Sequence, residues 1–482
     1  MVKPKSIKNH PRFVLLFTPK TPQKSPFTPS TYILLSITLV LALILCFTTI
    51  NPFVIKIQTS THSPLLLASI SSVYQDPNAD DNNSPVTLSV PSIVPLPPRS
   101  VAGTEFWDQP DGEGYRPCLE FSLKYRRRSV KIVNEKKRFL VVVVSGGLLQ
   151  IRNQIVDAVI IARILEASLV LPVLKGDESE FSEIFDVEHF RKTLKADIRV
   201  ASSLPSTRLV SWQSLENQIP HNVPPFWIRA RFFKKLNEDG SLVLTGLDSK
   251  LSKNLSPDLQ KLKCKVAFHA LKFAKPVRDL GNRIARRMWI EGPYVAVHLS
   301  LEKELWVRTG CPTGLGPEYD VIISEERESS PEFLATNSNT NCPLNALEAA
   351  RLLKESGAPA NARVYIAGSE PFGGDRAILP LKTEFENVVT KDMLARDGEL
   401  APYRNRTTIL TAIDYVVSLS SDVFLPSYNG HMARALQGHR AYVGHRKYVT
   451  MSMDFKGQPQ PRGKRRDRDV IVYPVPECMC KH

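Results

Sequence analysis

Apolar positions follow two rhythms along this chain, and their alternation predicts an α/β protein. Arg138–Val144 reads RFLVVVV, a continuous apolar run of the kind buried on both faces of a parallel sheet. It stops at Ser145-Gly146-Gly147, after which Ile155, Val159, Ala162 and Leu165 recur at helical spacing. Leu169–Val173 reads as the next strand and completes a strand–turn–helix–strand unit. Residues 181–270 read as short helices and loops. A second series starts with strand Tyr294–Leu299 and continues through helix Leu344–Ser356 and strand Arg363–Ala367. Helices Ala377–Phe385 and Thr411–Ser420, strand Val423–Pro426 and helix His431–Gly438 complete it. Two such series predict two Rossmann-like domains, 106–285 and 286–482, facing a cleft at their strand ends. Within the second, Glu302–Asn341 reads as one long loop, a length typical of lids and binding loops.

The N-terminal pattern is different. Thr31–Ile50 is 20 residues without a charge, the length of a bilayer crossing. Six basic residues precede it (Lys3, Lys5, Lys8, Arg12, Lys20, Lys24), and the first acid is Asp76. That asymmetry predicts a cytoplasmic tail (1–30), a signal anchor (31–50) and a lumenal remainder, with a cleaved signal peptide as the alternative. The short, hydroxyl-bearing span suits a thin bilayer of the secretory pathway, so the expected location is the Golgi membrane, single-pass and type II. Residues 51–105, rich in Ser, Pro, Asn and Thr, read as a stem. Six cysteines follow the span: Cys118, Cys264, Cys311, Cys342, Cys478 and Cys480. They permit disulfides in any of fifteen pairings. Cys478, Cys480 and His482 also suggest a weaker metal-site reading. Sequons for glycosylation stand at Asn82, Asn254 and Asn405.

Charge changes the picture little. Of the 482 residues 43% are hydrophobic and 23% charged, which allows a large core, and the net charge is +15. Part of that charge sits in the N-terminal tail and in Arg462, Lys464, Arg465, Arg466 and Arg468. Without zinc-finger spacing or an RNA-recognition signature, nucleic acid is not expected as a partner.

Candidate chemistry gathers at strand ends. Gly146, Gly147 and Gln150 form a glycine turn into a helix, whose free N–H groups and positive dipole end suit a phosphate. His298, Leu299, Ser300 and Glu302 end the strand from Tyr294, and Arg308 lies in the following Thr- and Gly-bearing segment. A glycine-rich turn spans Ala367–Gly374. Asp422, Ser427, Tyr428 and Gly430-His431-Met432 flank the last strand and open a helix. Each of these has a plain structural alternative, as a turn, a cap or a satisfied core group. No D-x-D pair stands at these strand ends, so no metal site is expected and a diphosphate would be met by basic groups and helix ends.

From about Glu105 to His482 the chain resembles the plant O-fucosyltransferase family of inverting GT-B glycosyltransferases. The resembling stretches include VVVVSGG with RNQIVDAVIIARIL, GDESEFSEIFDVEHF, LSPDLQKLKCKVAFHALKF, EKELWVRTGCPTGLGPEYD, AIDYVVSLSSDVFLPS and YPVPECMC. The resemblance implies metal-independent transfer of fucose from GDP-fucose to a glycan or protein hydroxyl, with inversion and no cofactor. It assigns donor contact to His298, Leu299 and Ser300, and nucleotide contact to the Ser427–Met432 loop. Three polar departures stand out, one of them the family's Gly-Asn-Met, which is Gly430, His431, Met432 here. The family's His-Leu-Arg is His298, Leu299, Ser300 here, and the Asn of its Gly-Gly-Leu-Asn-Gln turn is Leu149. Arg308 is the candidate replacement for the absent guanidinium, and Glu302 the candidate base. The alternative expectations are a rhamnosyltransferase-like enzyme with another donor, or a catalytically impaired glycan- or partner-binding protein.

Overall fold

The computed structural model describes residues 105–110, 112–176, 180–205, 219–330, 342–449, 451–453, 459–461 and 478–481. These all fall within one compact unit, Pro85–His482; the other unit, Met1–Ser84, lies outside the described residues. So do the expected tail, span and stem (apart from Glu105) and the sequon at Asn82. Among the described residues no helix is long and apolar enough to cross a membrane.

Two parallel sheets build the body. The first contains β1 (Phe139–Ser145), β2 (Ser168–Val170), β3 (Val173–Lys175), β4 (Val200–Ala201) and β5 (Ser241–Thr245). β1 is central, with β5 on one edge, β2 and β3 in succession on the other, and β4 beyond β2. The second sheet contains β6 (Tyr294–His298), β7 (Arg363–Ala367), β8 (Asn387–Thr390), β9 (Val423–Pro426) and β10 (Lys447–Tyr448), in the order β10-β9-β6-β7-β8. The helices used below are α1 (Leu123–Val133), α2 (Leu148–Leu165), α3 (Pro225–Asp239), α4 (Pro257–Lys265) and α5 (Lys275–Trp289), followed by α6 (Lys303–Thr309), α7 (Pro317–Glu328), α8 (Ala346–Glu355), α9 (Asp375–Glu384), α10 (Thr407–Ser420) and α11 (His431–Tyr442).

The uninterrupted apolar run of β1 has the expected cause. Leu140, Val142 and Val144 enter the main core, while Phe139 and Val141 enter a second cluster on the opposite face. β6 divides likewise: Tyr294 and Ala296 join the same main core as β1, and Val295 and Val297 pack into a separate core under α8 and α9. One hydrophobic core therefore runs through both sheets. The expected boundary at residue 285 falls inside α5, which packs closely on α10. Gly281 permits that approach, since a Cβ there would lie 2.7 Å from Val416 Cβ.

Two expectations change. Glu302–Asn341 is not one loop, because α6 and α7 form within it; Pro317 at the start of α7 and Gly310 in the left-handed region after α6 punctuate them. Residues 181–270 hold a strand, β5, between α3 and α4. Three disulfides form: Cys118–Cys480, Cys264–Cys478 and Cys311–Cys342. The first two fasten Met479–Lys481 as an antiparallel partner of Tyr115–Pro117, so Cys478 and Cys480 are structural and do not form a metal pair.

Candidate functional site

The ends of β1 and β9 each lead, through a glycine, into a helix, and the start of α11 meets the second turn of α2. Gly146, at φ +94°, turns the chain so that Gly147 caps α2. Gln150 folds back to accept the Gly147 N–H at 3.0 Å, and Gln154 donates to the Ser145 carbonyl at 2.6 Å. Gly430 caps α11, and the Tyr428 ring lies against it, 2.5 Å from where a Cβ would be. Neither cap uses a side-chain hydrogen bond. The first-turn N–H groups therefore present the positive ends of both helix dipoles. Asn153 joins them, its Nδ2 being 3.0 Å from His431 Nδ1 and 3.3 Å from Asp248 Oδ1.

Beneath this junction, Arg152 is buried between the halves. It donates to the carbonyls of Ala267 (2.6 Å) and Leu271 (3.2 Å) and lies over the rings of Phe273 and Tyr415. Those carbonyls belong to a single π-helical turn, Val266–Ala270, and to Leu271, which caps it, a geometry that exposes acceptors an α-helix would consume. Phe268 of that turn fits against Gly438 of α11. α11 is thus held in its second half as well as at its tip.

The end of β6 is bound to that of β9. Ser427, fully buried, gives its N–H to the His298 carbonyl at 2.8 Å, and its Oγ accepts the Ser300 N–H at 3.1 Å. Next to it, the end of β7 is held by Asp414, which accepts from Tyr365 Oη (2.6 Å), the Gly368 N–H (3.2 Å) and Lys391 Nζ (3.0 Å). Burial pushes the Asp414 carboxyl upward, opposed by Lys391 and the Tyr365 hydroxyl. Gly368, at φ +138°, lets this turn pass the Leu299 carbonyl, which would lie 2.6 Å from an added Cβ. Desolvation lowers His298 to about 4, with the Glu302 carboxylate opposing and Lys391 adding to the shift. Its imidazole is therefore neutral at physiological pH and serves as a hydrogen-bonding group, not a cation.

The expected residues separate into three groups. Gly146, Gly147, Gln150, His298 and Tyr428 stand at the converging strand ends, with Glu302 as the N-cap position of α6. Leu299, Ser300 and Ser427 are there but buried: Leu299 packs into the second core, and Ser300 and Ser427 bond each other. Asp422 and Arg308 do not join the site. Asp422 precedes β9 and accepts the Tyr294 N–H at 3.1 Å, at the opposite end of the sheet from Ser427, which is about 16 Å away along the strand. Arg308 is exposed in the last turn of α6, about 9 Å along the helix from Glu302. Leu149, in place of the family's Asn, is buried in the main core. Asn254 and Asn405 are both exposed, as glycan acceptors require. Asp248 was not expected. Only the unrecognised strand β5 carries it to the junction, and the run SLVLT after Gly240 was the available signal. Among the described residues no cluster of three or more His, Cys, Asp or Glu side chains has metal-binding geometry.

Comparison with known proteins gives a consistent grouping. A family model described as GDP-fucose protein O-fucosyltransferase matches residues 139–443. The chain is 59% identical to O-fucosyltransferase 37 of Arabidopsis thaliana, with 81% of this chain and 78% of that one covered. It is 48% identical to O-fucosyltransferase 20 of the same plant, over 78% of this chain and 73% of that one. Among solved structures, a complex of POFUT1 with GDP matches 65% of this chain and 99% of that one, at 13% identity and a TM-score of 0.40.

Proposed function

The chain belongs to the GDP-fucose protein O-fucosyltransferase family, and from that premise we propose that it transfers fucose from GDP-fucose to a glycan or protein hydroxyl, with inversion and without a metal. The observation that carries the reading is the approach of two glycine-capped helices, α2 and α11, where Asn153 in the second turn of α2 meets His431 at the start of α11. Each supplies roughly half a positive charge and several free N–H donors. Together they make a diphosphate cradle between two Rossmann-like halves in the manner of a GT-B enzyme. His298, neutral, hydrogen-bonds the donor, and Gly146, Gly147 and the ring of Tyr428 let it approach closely. Two carboxylates flank the strand ends, Glu302 after β6 and Asp248 after β5. One of them takes the acceptor hydroxyl proton as the new C1–O bond forms, while the C1–O bond to phosphate breaks and GDP leaves. The setting is the Golgi lumen, the chain being held to the membrane by residues 31–50.

Calorimetric titration with GDP, GDP-fucose and UDP, followed by transfer assays with and without EDTA, tests the proposal. It expects GDP and GDP-fucose to bind well ahead of UDP, with EDTA-insensitive turnover that Asp248→Asn or Glu302→Gln reduces by about 10²–10⁴. Preference for UDP-linked donors would overturn the donor assignment.

A second reading rests on position 300. Ser300 is 5% exposed and presents no cation at the cradle, and Leu149 presents no polar group. A family fold retained for binding a glycan or a partner enzyme fits those two residues. GDP binding without turnover would favour it, and measurable wild-type turnover would dismiss it.

A further inference from the structure

At the far end of α2 from the cradle a second concavity opens between α1, α3 and α4. Its wall carries Lys124, Arg128, Arg163 and Arg229 against one carboxylate, Asp258. Asp258 is already engaged, accepting the Ser122 N–H at 2.9 Å and the Ser122 hydroxyl at 2.6 Å. The volume open to small molecules is about 180 Å³ in the cavity beside α6 and about 360 Å³ here. Arg163 is a fixed part of the wall, stacked on Tyr125 at 3.8 Å and bonded to the Asp197 and Tyr125 carbonyls. Arg128 and Arg229 both pair with Glu166, at 2.9 and 3.2 Å, and Arg229 also donates to the Ile164 carbonyl at 2.9 Å. Their side chains remain 56% and 40% exposed, so most of their donors face outward.

The charge continues beyond the concavity. Lys124, Arg128 and Lys131 recur at i, i+4 and i+7 along α1, a stripe about 10 Å long, with Arg126 and Arg127 exposed beside it. Lys124 and Lys131 make no hydrogen bond or ion pair among the described residues. An isolated run of lysines and arginines is usually only a solvated face. This one borders a recess with Ile132, Ile164 and Leu259 in its wall, and Phe226 stands 73% exposed at its edge. The exposed ring offers a flat apolar face beside the cationic recess on which a partner can stack. A sugar ring offers an apolar C–H face to the phenyl group and, where it carries a carboxylate, a bidentate acceptor for guanidinium. A linear polymer of such sugars repeats its charge along a line, as α1 does.

We propose that the α1–α3–α4 groove binds a carboxylate-bearing polysaccharide, as a second contact for the acceptor chain remote from the cradle. This rests on the glycosyltransferase reading for its purpose, but its test does not. Binding of the full chain to polygalacturonate, to its methyl ester and to phosphatidylserine vesicles is measured at several salt concentrations, with GDP-fucose titrated separately. Polygalacturonate should bind with an affinity that falls steeply with salt. Its uncharged ester should bind at least tenfold more weakly. Lys124→Glu with Arg128→Glu should cost tenfold or more. Lys124→Glu alone, at a residue with no structural partner, should cost about threefold, and Phe226→Ala a similar factor. Ester binding equal to the acid, polysaccharide binding unmoved by these variants, or vesicle binding without polysaccharide binding would each overturn the proposal. Loss of GDP-fucose affinity in wild type would instead count against the functional reading.

Discussion

Arg440 offers a direct test of what holds the cradle in place. It lies in the last turn of α11, fully buried. Its Nη1 donates to Ser418 O at 2.7 Å and Ser421 O at 3.0 Å, and its Nη2 to Asp422 O at 3.0 Å and Lys447 O at 2.8 Å. Ser418 belongs to the last turn of α10, whose carbonyls have no helical partner. One guanidinium therefore closes the end of α10, fixes the start of β9 and ties both to the helix that begins at the cradle. Arg440→Met keeps much of the volume but takes a charged donor from four carbonyls, of which Ser418 O, Asp422 O and Ser421 O keep a second donor in Ser421 Oγ, Gln109 Nε2 and Arg446. A hydrogen bond to a charged group contributes about 1.5 kcal/mol or more, and the desolvation regained by removing a buried charge offsets part of the sum. The expected loss is therefore about 4 kcal/mol. Arg440→Lys, with three donors, should lose about 2 kcal/mol. Urea-midpoint shifts with intact disulfides give the stability change, and calorimetry gives the accompanying loss of GDP affinity. If Arg440→Met lies within about 1 kcal/mol of wild type, the carbonyl cluster is not the lock described and the reasoning fails.

Three further outcomes follow from the packing and the titrating groups. Gly281→Ala should lower stability by about 1–3 kcal/mol, because its methyl meets Val416 at 2.7 Å; adding Val416→Ala should restore part of the loss in a double-mutant cycle. Acid should destabilise the fold through His269 and His298, each held to about 4, and His439, held to about 3, by burial. The sign follows from the unfolded histidines, which take up protons below about 6.5 while the folded ones do not. Stability is thus highest above that pH and falls towards about 4, with a slope approaching 1.4 kcal/mol per pH unit per fully withheld ring and less for these half-buried ones. Denaturation midpoints from pH 7.5 to 4.5 measure it, and a flat profile contradicts it. Cys311→Ser with Cys342→Ser opens a loop with a sequence separation of 31, for an expected cost of about 3–4 kcal/mol. Protease cutting between α6 and α8 should rise before global unfolding.

Strands were legible where both faces are buried. The β1 run and the strands beginning at Tyr294, Arg363 and Val423 announce themselves because nearly every residue is apolar. β5 and β8 were missed for the opposite reason: their ends are Ser241, Thr245, Asn387 and Thr390, which read as loop until a neighbouring strand is in place. The glycine turns at 146–147 and 430 were visible as helix starts, but their meeting was not. That contact depends on Arg152 holding a π-helical turn more than 100 positions away, at Ala267 and Leu271. Asp422 groups with the strand ends in sequence, although it precedes β9 and so stands at the amino end of that strand, away from the carboxyl ends where ligands bind.

Position 300 allows the charge argument to be carried one step further. Alternation along β6 places Tyr294, Ala296 and His298 on the face turned to the first sheet, and Leu299 and Leu301 on the face packed under α8 and α9. Ser300 continues the first series, with its Oγ 3.5 Å from His298 Nδ1. A side chain longer than serine at 300 therefore heads towards the junction where α2 and α11 begin. Two helix dipoles contribute about one unit of positive charge there, less than a nucleoside diphosphate carries in negative charge. A guanidinium would supply the balance and a bidentate fork as well. Ser300→Arg should thus tighten GDP binding by roughly tenfold to a hundredfold, about 1.5–3 kcal/mol for charge-assisted hydrogen bonds. Ser300→Ala, which leaves the backbone bond to Ser427 intact, should change it little. The gain should shrink with added salt. If Ser300→Arg folds normally yet binds GDP no better than wild type, the diphosphate does not sit where the two helix starts converge, and the cradle must be sought elsewhere in the fold.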